Sequence, residues 1–203
     1  MAARLTDLLV VVGPSGVGKS TLIARLTKEF PEAFGYSVSH TTRPMRAGEV
    51  DGQSYHFVTA ELFRDLVAKG KFLEHAVVHD TYYGTSEDSV RAVLQKDRVC
   101  FMDLDIVGAQ NLRKHPSLRS LVVFVVPPSF EVLERRLKNR GTESDEKIAK
   151  RLSDGKEWVR WFKQHQDFFD FSFLNDDLDT CYAEFRDAIM SSAFDMDVST
   201  HYK

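Results

Sequence analysis

The stretch GPSGVGKS, Gly13 to Ser20, constrains this chain more than any other. It fits G-x-x-x-x-G-K-[ST] at every fixed position. The apolar run LLVVV, Leu8 to Val12, leads into it, and Leu22, Ile23, Leu26 and Phe30 follow at helical spacing until Pro31. A buried strand, a glycine loop and a helix in that order form a phosphate cradle. The glycines let backbone N–H groups turn inward, and the helix start adds the positive end of its dipole. Gly13, Pro14, Ser15, Gly16, Val17, Gly18, Lys19, Ser20 and Thr21 are therefore expected to bind the phosphates of a nucleoside triphosphate. Lys19 reaches the β- and γ-phosphates, and Ser20 ligates Mg²⁺. A carboxylate that acts on the metal through water belongs at a neighbouring strand end, and Asp103 in CFMDLD is the candidate. Asp105, two residues on, is expected to leave the same strand end facing the same way.

Three more apolar runs read as buried strands: Arg98 to Asp105, Leu121 to Val126, and Phe169 to Leu174. Helical periods separate or follow them at Val90, Val93 and Leu94, at Phe130, Leu133 and Leu137, and at Leu178, Tyr182, Phe185 and Ile189. The pattern predicts an α/β fold of P-loop NTPase type, a parallel sheet with helices on both faces. Residues 36–85 break this rhythm with short β-like runs, turn signals at Gly48 and Asp51-Gly52, and one helix, Glu61 to Lys69, closed by Gly70. They read as an insertion with a small mixed sheet of its own. The tail after Met190 shows no apolar period and is expected to fray.

With 203 residues the chain suits one domain, and a net charge of −3 argues against general nucleic-acid binding. No apolar run reaches the ~20 residues of a membrane helix. Cys100 and Cys181 lie far apart; Cys100 reads as a buried thiol, and a reducing cytoplasm fits. His75 and His79 are spaced i, i+4 but fall in strand and turn, so no metal-binding helix is expected there.

Against this acidic background, YSVSHTTRPMRAGEVDGQSYHF (Tyr36 to Phe57) sets Arg43 and Arg46 among hydroxyl residues. Two guanidinium forks beside Ser37 and Tyr55 suit a phosphate monoester. In the next segment, FLEHAVVHDTYYGTS, Glu74 is an acceptor. Guanine offers two adjacent donors, N1–H and the 2-amino group, beside its O6 acceptor. Glu74 and Asp105 can take the donors, and the Thr85 hydroxyl can give to O6. A hydrolase or regulatory GTPase is the competing reading of the loop. DIVG, Asp105 to Gly108, matches D-x-x-G, but no N-K-x-D guanine motif exists in the chain.

Taken in order, the blocks GPSGVGKST, SVSHTTRPMRAGEVDGQSYHF, FLEHAVVHDTYYGTS, MDLDIVGAQ, PPSFEVLERRLKNRGTES, KRL and NDDLD resemble guanylate kinase over nearly the whole chain. The resemblance implies a division into core (4–35, 86–130 and 156–190), GMP-binding insertion (36–85), helical lid (131–155) and tail (191–203). It places Ser37, Arg43, Arg46, Glu49, Tyr55 and Tyr83 in the GMP phosphate site, and Glu74, Thr85 and Asp105 at the guanine. Arg136, Arg140 and Arg151 become lid arginines closing on the ATP phosphates, catalytic together with Lys19 and Arg43. Asn175 becomes a contact near the adenine.

The implied reaction is Mg²⁺-dependent transfer of the γ-phosphoryl group of ATP to GMP, and to dGMP, by a cytoplasmic monomer with no nucleic-acid or membrane partner. Scaffold peptide-binding modules share this fold but usually lack the loop lysine, which this chain keeps as Lys19. A kinase of another phosphorylated acceptor is the second alternative. Two departures from the family stand out. Met45 occupies a usual proline position, and Gly155 replaces a usual alanine in a helix, at a cost of ~1 kcal/mol.

Overall fold

The computed structural model describes residues 3–46, 48–78, 81–139 and 144–195. Its centre is β1 (Leu8–Val12), all five residues of which are fully buried. Strand alternation divides them between two cores. Leu9 and Val11 pack with Leu22 and Leu26 of α1 (Lys19–Glu29) and Phe185 and Ile189 of α7 (Leu178–Ala193). Leu8, Val10 and Val12 pack on the other face with Val90, Leu112, Phe162 and Phe169. A run apolar at every position is thus a strand covered on both sides.

β1 pairs in parallel with β7 (Val99–Asp103) and β8 (Ser120–Val126). β2 (Phe34–Tyr36) and β9 (Phe171–Leu174) complete a parallel sheet of order β2-β7-β1-β8-β9. From β1 the chain crosses to β2 and then β7 on one side and later to β8 and β9 on the other, so the loop after β1 sits at a topological switch point. Ligands of parallel α/β sheets bind in such crevices, beyond the carboxyl ends of the strands.

The insertion forms a second sheet of order β4-β3-β6-β5, from β3 (His40–Thr41), β4 (His56–Phe57), β5 (Phe72–Val78) and β6 (Thr81–Ser86). One parallel pair and two antiparallel pairs make it mixed. Its small core centres on Phe63 of α2 (Ala60–Ala68), fully buried and stacked on Phe72. Thr59 caps α2, and Gly70 closes it at φ 63°. Three more helices follow: α3 (Glu87–Leu94), α4 (Ile106–Arg113) and α5 (Phe130–Lys138). The long α6 (Asp145–Gln164) comes after them.

Three expectations are corrected. The strand anticipated to Asp105 ends at Asp103, because Asp105 turns to cap α4, its Oδ1 accepting from Gly108 N at 2.6 Å. That bond accounts for the D-x-x-G spacing as a helix cap. The strand anticipated from Phe169 starts at Phe171; Phe169 instead packs edge-on to Phe124. The tail does not fray at its start. α7 runs to Ala193, and Phe194 is buried edge-on against Phe34.

Gly155 is more than a weak point in its helix. It is buried, and a Cβ there would lie 3.2 Å from Pro14 Cβ. The missing side chain lets α6 lie close on the phosphate loop.

Candidate functional site

At the loop, Gly18 adopts φ 109°, and a Cβ on it would stand 2.2 Å from Asn175 Nδ2. Gly16, at φ 85°, leaves room for Leu137 of α5. Both conformations are ones a side chain would strain, and both neighbours are ones it would displace. Lys19 bends back so that its Nζ donates to Gly13 O at 2.6 Å and Pro14 O at 3.3 Å. The same ammonium lies 3.5 Å from Asp103 Oδ1. Desolvation beside the loop pushes the Asp103 carboxyl pKa up and Lys19 opposes the shift, while 47% of the side chain stays exposed to solvent, which tempers the rise.

Ser15, Gly16, Gly18, Lys19, Ser20 and Asp103 line one cleft of about 90 Å³. A hydroxyl and a carboxylate are the hard oxygen donors that Mg²⁺ takes. Ser20 and Asp103 share this cleft with the phosphate-loop lysine, so the donor set fits the metal.

Two of the three lid arginines reach the loop. Arg136 donates to Val17 O at 3.5 Å and to Asn175 O at 3.1 Å. Arg151 donates to the Ser15 hydroxyl. Arg140 lies outside the described residues, as does His79. Asn175 is 3% exposed, and its Nδ2 donates to Val17 O at 2.7 Å.

The insertion gathers a second cluster. Glu49 takes the Arg43 fork with both oxygens, at 2.9 and 2.7 Å, and also accepts from Arg46 N at 2.7 Å. Arg43 and this Arg46 N–H hold the Glu49 pKa down to about 2. The Arg43 guanidinium lies 5.4 Å from the Tyr55 ring centre, and the Tyr55 and Tyr83 rings stand 6.1 Å apart. Burial raises the Tyr55 pKa, so its hydroxyl is kept as a donor. The Arg46 side chain is exposed. Ser37 is 2% exposed, and it opposes the shift of the Cys100 thiol, which burial pushes up to about 11.

Glu74, Thr85 and Asp105 do come together. Glu74 and Thr85 are cross-strand partners, and Thr85 opposes the rise of the Glu74 pKa. Glu74 Oε2 and Asp105 Oδ1 each lie 3.2 Å from the Cβ position of Gly108, so two carboxylates converge on one small residue. Glu74 is 7% exposed, and burial pushes its pKa up to about 7, with the nearby Asp105 adding to the rise. Sequence reasoning missed Ser39, whose hydroxyl lies 3.0 Å from that of Thr85, and Gly108. The sequence signals were present. Ser39 alternates with Ser37 ahead of β3, and Gly108 follows Asp105 at the spacing of a helix cap.

A family model described as guanylate kinase matches residues 5–192. This chain belongs to the guanylate kinase family. Guanylate kinases of pig and of human are each 44% identical over 181 residues, spanning 89% of this chain and 90% and 91% of their own lengths. Guanylate kinase 1 of rice is 46% identical over 178 residues, 88% of this chain, but this chain spans only about half of that protein, 46%. A crystal structure of guanylate kinase from Anaplasma phagocytophilum superposes with a TM-score of 0.71 at 25% identity, covering 95% of this chain and 89% of the other. Members of the family are nucleoside monophosphate kinases that phosphorylate GMP. No helix among the described residues is long and apolar enough to cross a membrane.

Proposed function

We propose that the two clusters are the donor and acceptor sites of an ATP:GMP phosphotransferase, and that one strand end serves both. Asp103, the last residue of β7, lies 3.5 Å from Lys19 Nζ, and Asp105, two residues on, converges with Glu74 of the insertion on Gly108. That short segment is the observation that supports the reading best, because transfer needs both substrates at one place.

The γ-phosphoryl group of ATP passes to a phosphate oxygen of GMP, giving ADP and GDP. The acceptor carries close to two negative charges at neutral pH, with a second pKa near 6, so no general base is needed. Lys19 turns from the loop carbonyls to the β- and γ-phosphates. Arg136 and Arg151, already against the loop, and Arg140 neutralise the charge spread over the moving group. Ser20 and, through water, Asp103 would hold Mg²⁺, which would supply charge neutralisation at the phosphates.

On the acceptor side, Ser37, Arg43, Arg46, Tyr55 and Tyr83 clamp the GMP phosphate, with Glu49 steering Arg43. Glu74 and Asp105 accept from guanine N1–H and N2, and Thr85 turns its hydroxyl to O6 while Ser39 remains its partner. Closing insertion and lid onto the core excludes water from the transfer. dGMP is a further acceptor, because no proposed contact involves the 2′-hydroxyl. A monomer is the oligomeric state of this reading. Two buried cysteines without a disulfide suit the cytoplasm, and a net charge of −3 offers no general hold on nucleic acid.

Calorimetry of both nucleotides tests this division. Lys19→Ala should weaken ATP and spare GMP, and Arg43→Met should do the reverse. If either change weakened both nucleotides equally, the two-site assignment would be wrong.

A further inference from the structure

The Val17 carbonyl of the phosphate loop receives two donors. Asn175 Nδ2 reaches it at 2.7 Å and Arg136 Nη1 at 3.5 Å. The Asn175 main chain is fixed as well, its N–H donating to Val126 O at 2.9 Å and its carbonyl accepting from Arg136 at 3.1 Å. The side chain therefore leaves a rigid point at the end of β9 and reaches into the loop. Its amide orientation is set by chemistry, since the reverse would press an oxygen against the Val17 carbonyl.

We propose that Asn175 is a positioning residue for the donor phosphates, holding the loop in its anion-binding shape through Val17 O. Two observations carry this. Asn175 is 3% exposed, and its amide is directed at the loop, at the Val17 carbonyl. Gly18 lies so close that any Cβ there would stand 2.2 Å from Asn175 Nδ2. The glycine that starts α1 thus makes room for the asparagine as well as adopting φ 109°. Restraining the carbonyl of Val17 fixes the peptide that joins it to Gly18, and so fixes where the Gly18 N–H points. A loop that binds phosphate with N–H groups depends on that direction.

This inference rests on the loop being the donor phosphate site. The test uses inorganic tripolyphosphate, which has the phosphates and no base, titrated into the protein with GMP present and Mg²⁺ omitted to prevent turnover. Asn175→Ala should weaken tripolyphosphate and ATP by the same factor, about tenfold, on the scale of one lost hydrogen bond. GMP affinity should hold, and in turnover KM for ATP should rise more than kcat falls. Asn175→Ser, which keeps a donor on a shorter arm, should recover part of the loss. Unchanged tripolyphosphate affinity in Asn175→Ala, with ATP weakened or not, would overturn the proposal. So would joint loss of GMP binding and melting temperature in both variants, which would make Asn175 a residue of the fold alone. If wild-type protein failed to bind tripolyphosphate, the loop assignment itself would fall.

Discussion

Glu49 grips Arg43 with two parallel hydrogen bonds of 2.9 and 2.7 Å, and the same carboxylate accepts from the backbone N–H of Arg46. One acidic side chain thus fixes both the plane of the first arginine and the turn that carries the second. A GMP phosphate must share Arg43 with Glu49 or take its place.

Glu49→Ala should free the Arg43 fork and loosen the turn at once. Loss of preorganisation outweighs relief from competition, because a dianionic phosphate attracts the guanidinium more strongly than one carboxylate does. GMP binding is expected to weaken about tenfold, the scale of one charge-assisted hydrogen bond. ATP binding should not change. Titration calorimetry with each nucleotide checks both halves, and tighter GMP binding would reverse the assigned role of Glu49.

Glu74→Gln keeps the shape of the side chain but turns one acceptor into a donor. That amine would meet guanine N1–H or N2, leaving a buried group unpaired at roughly 1–3 kcal/mol. kcat/KM for GMP should fall by one to several powers of ten, and the GMP-to-AMP ratio should fall with it. Asp105 and Thr85 remain, so AMP does not become the preferred acceptor. An unchanged ratio would remove Glu74 from base recognition.

The raised pKa of Glu74, about 7 against an ordinary 4.5, gives two pH dependences. Between these values the folded protein holds a proton that the unfolded chain has released. The contribution of this group to stability is complete below pH 4.5 and is lost as pH rises to about 7, by at most a few kcal/mol, roughly 1–3. Glu74→Gln should therefore gain stability over wild type on going from pH 5 to pH 8 in urea unfolding. Base recognition runs the other way, since only the ionised carboxylate accepts from both donors. Guanosine, which has no titrating phosphate, should bind about tenfold more weakly for each unit below pH 7. A flat guanosine profile in wild type would contradict the ionised-acceptor role.

Gly155→Ala should raise helix propensity in α6 by about 1 kcal/mol. Its Cβ would press on Pro14 at 3.2 Å, so the phosphate loop has to yield by a few tenths of an ångström. A small rise in melting temperature is expected together with a change in ATP affinity and none in GMP affinity. A lowered melting temperature would show that Pro14 cannot give way.

Much of this arrangement was legible because single segments carried it. The phosphate loop is one contiguous motif, and β1 and β8 are unbroken apolar runs. β2, β3 and β4 span three, two and two residues, too few for any period to register. Asp105 was misplaced because strand alternation extends through Leu104 on paper, while the bond to Gly108 N that ends the strand is a three-dimensional event. Phe194 is a single buried ring beyond the last helical repeat, and one residue makes no pattern. The meeting of Glu74 with Asp105 depends on how the insertion sits against α4, a packing relationship that no spacing encodes.

The account turns on GMP as the acceptor. The most direct test incubates the wild-type protein with ATP and Mg²⁺ and offers GMP, dGMP, AMP, CMP and UMP one at a time, following ADP and the diphosphate product. ADP should form quickly with GMP, measurably with dGMP and hardly at all with the other three, and Lys19→Ala should abolish it. ADP formation that is indifferent to the acceptor, or fastest with a monophosphate other than a guanine nucleotide, would contradict the assignment.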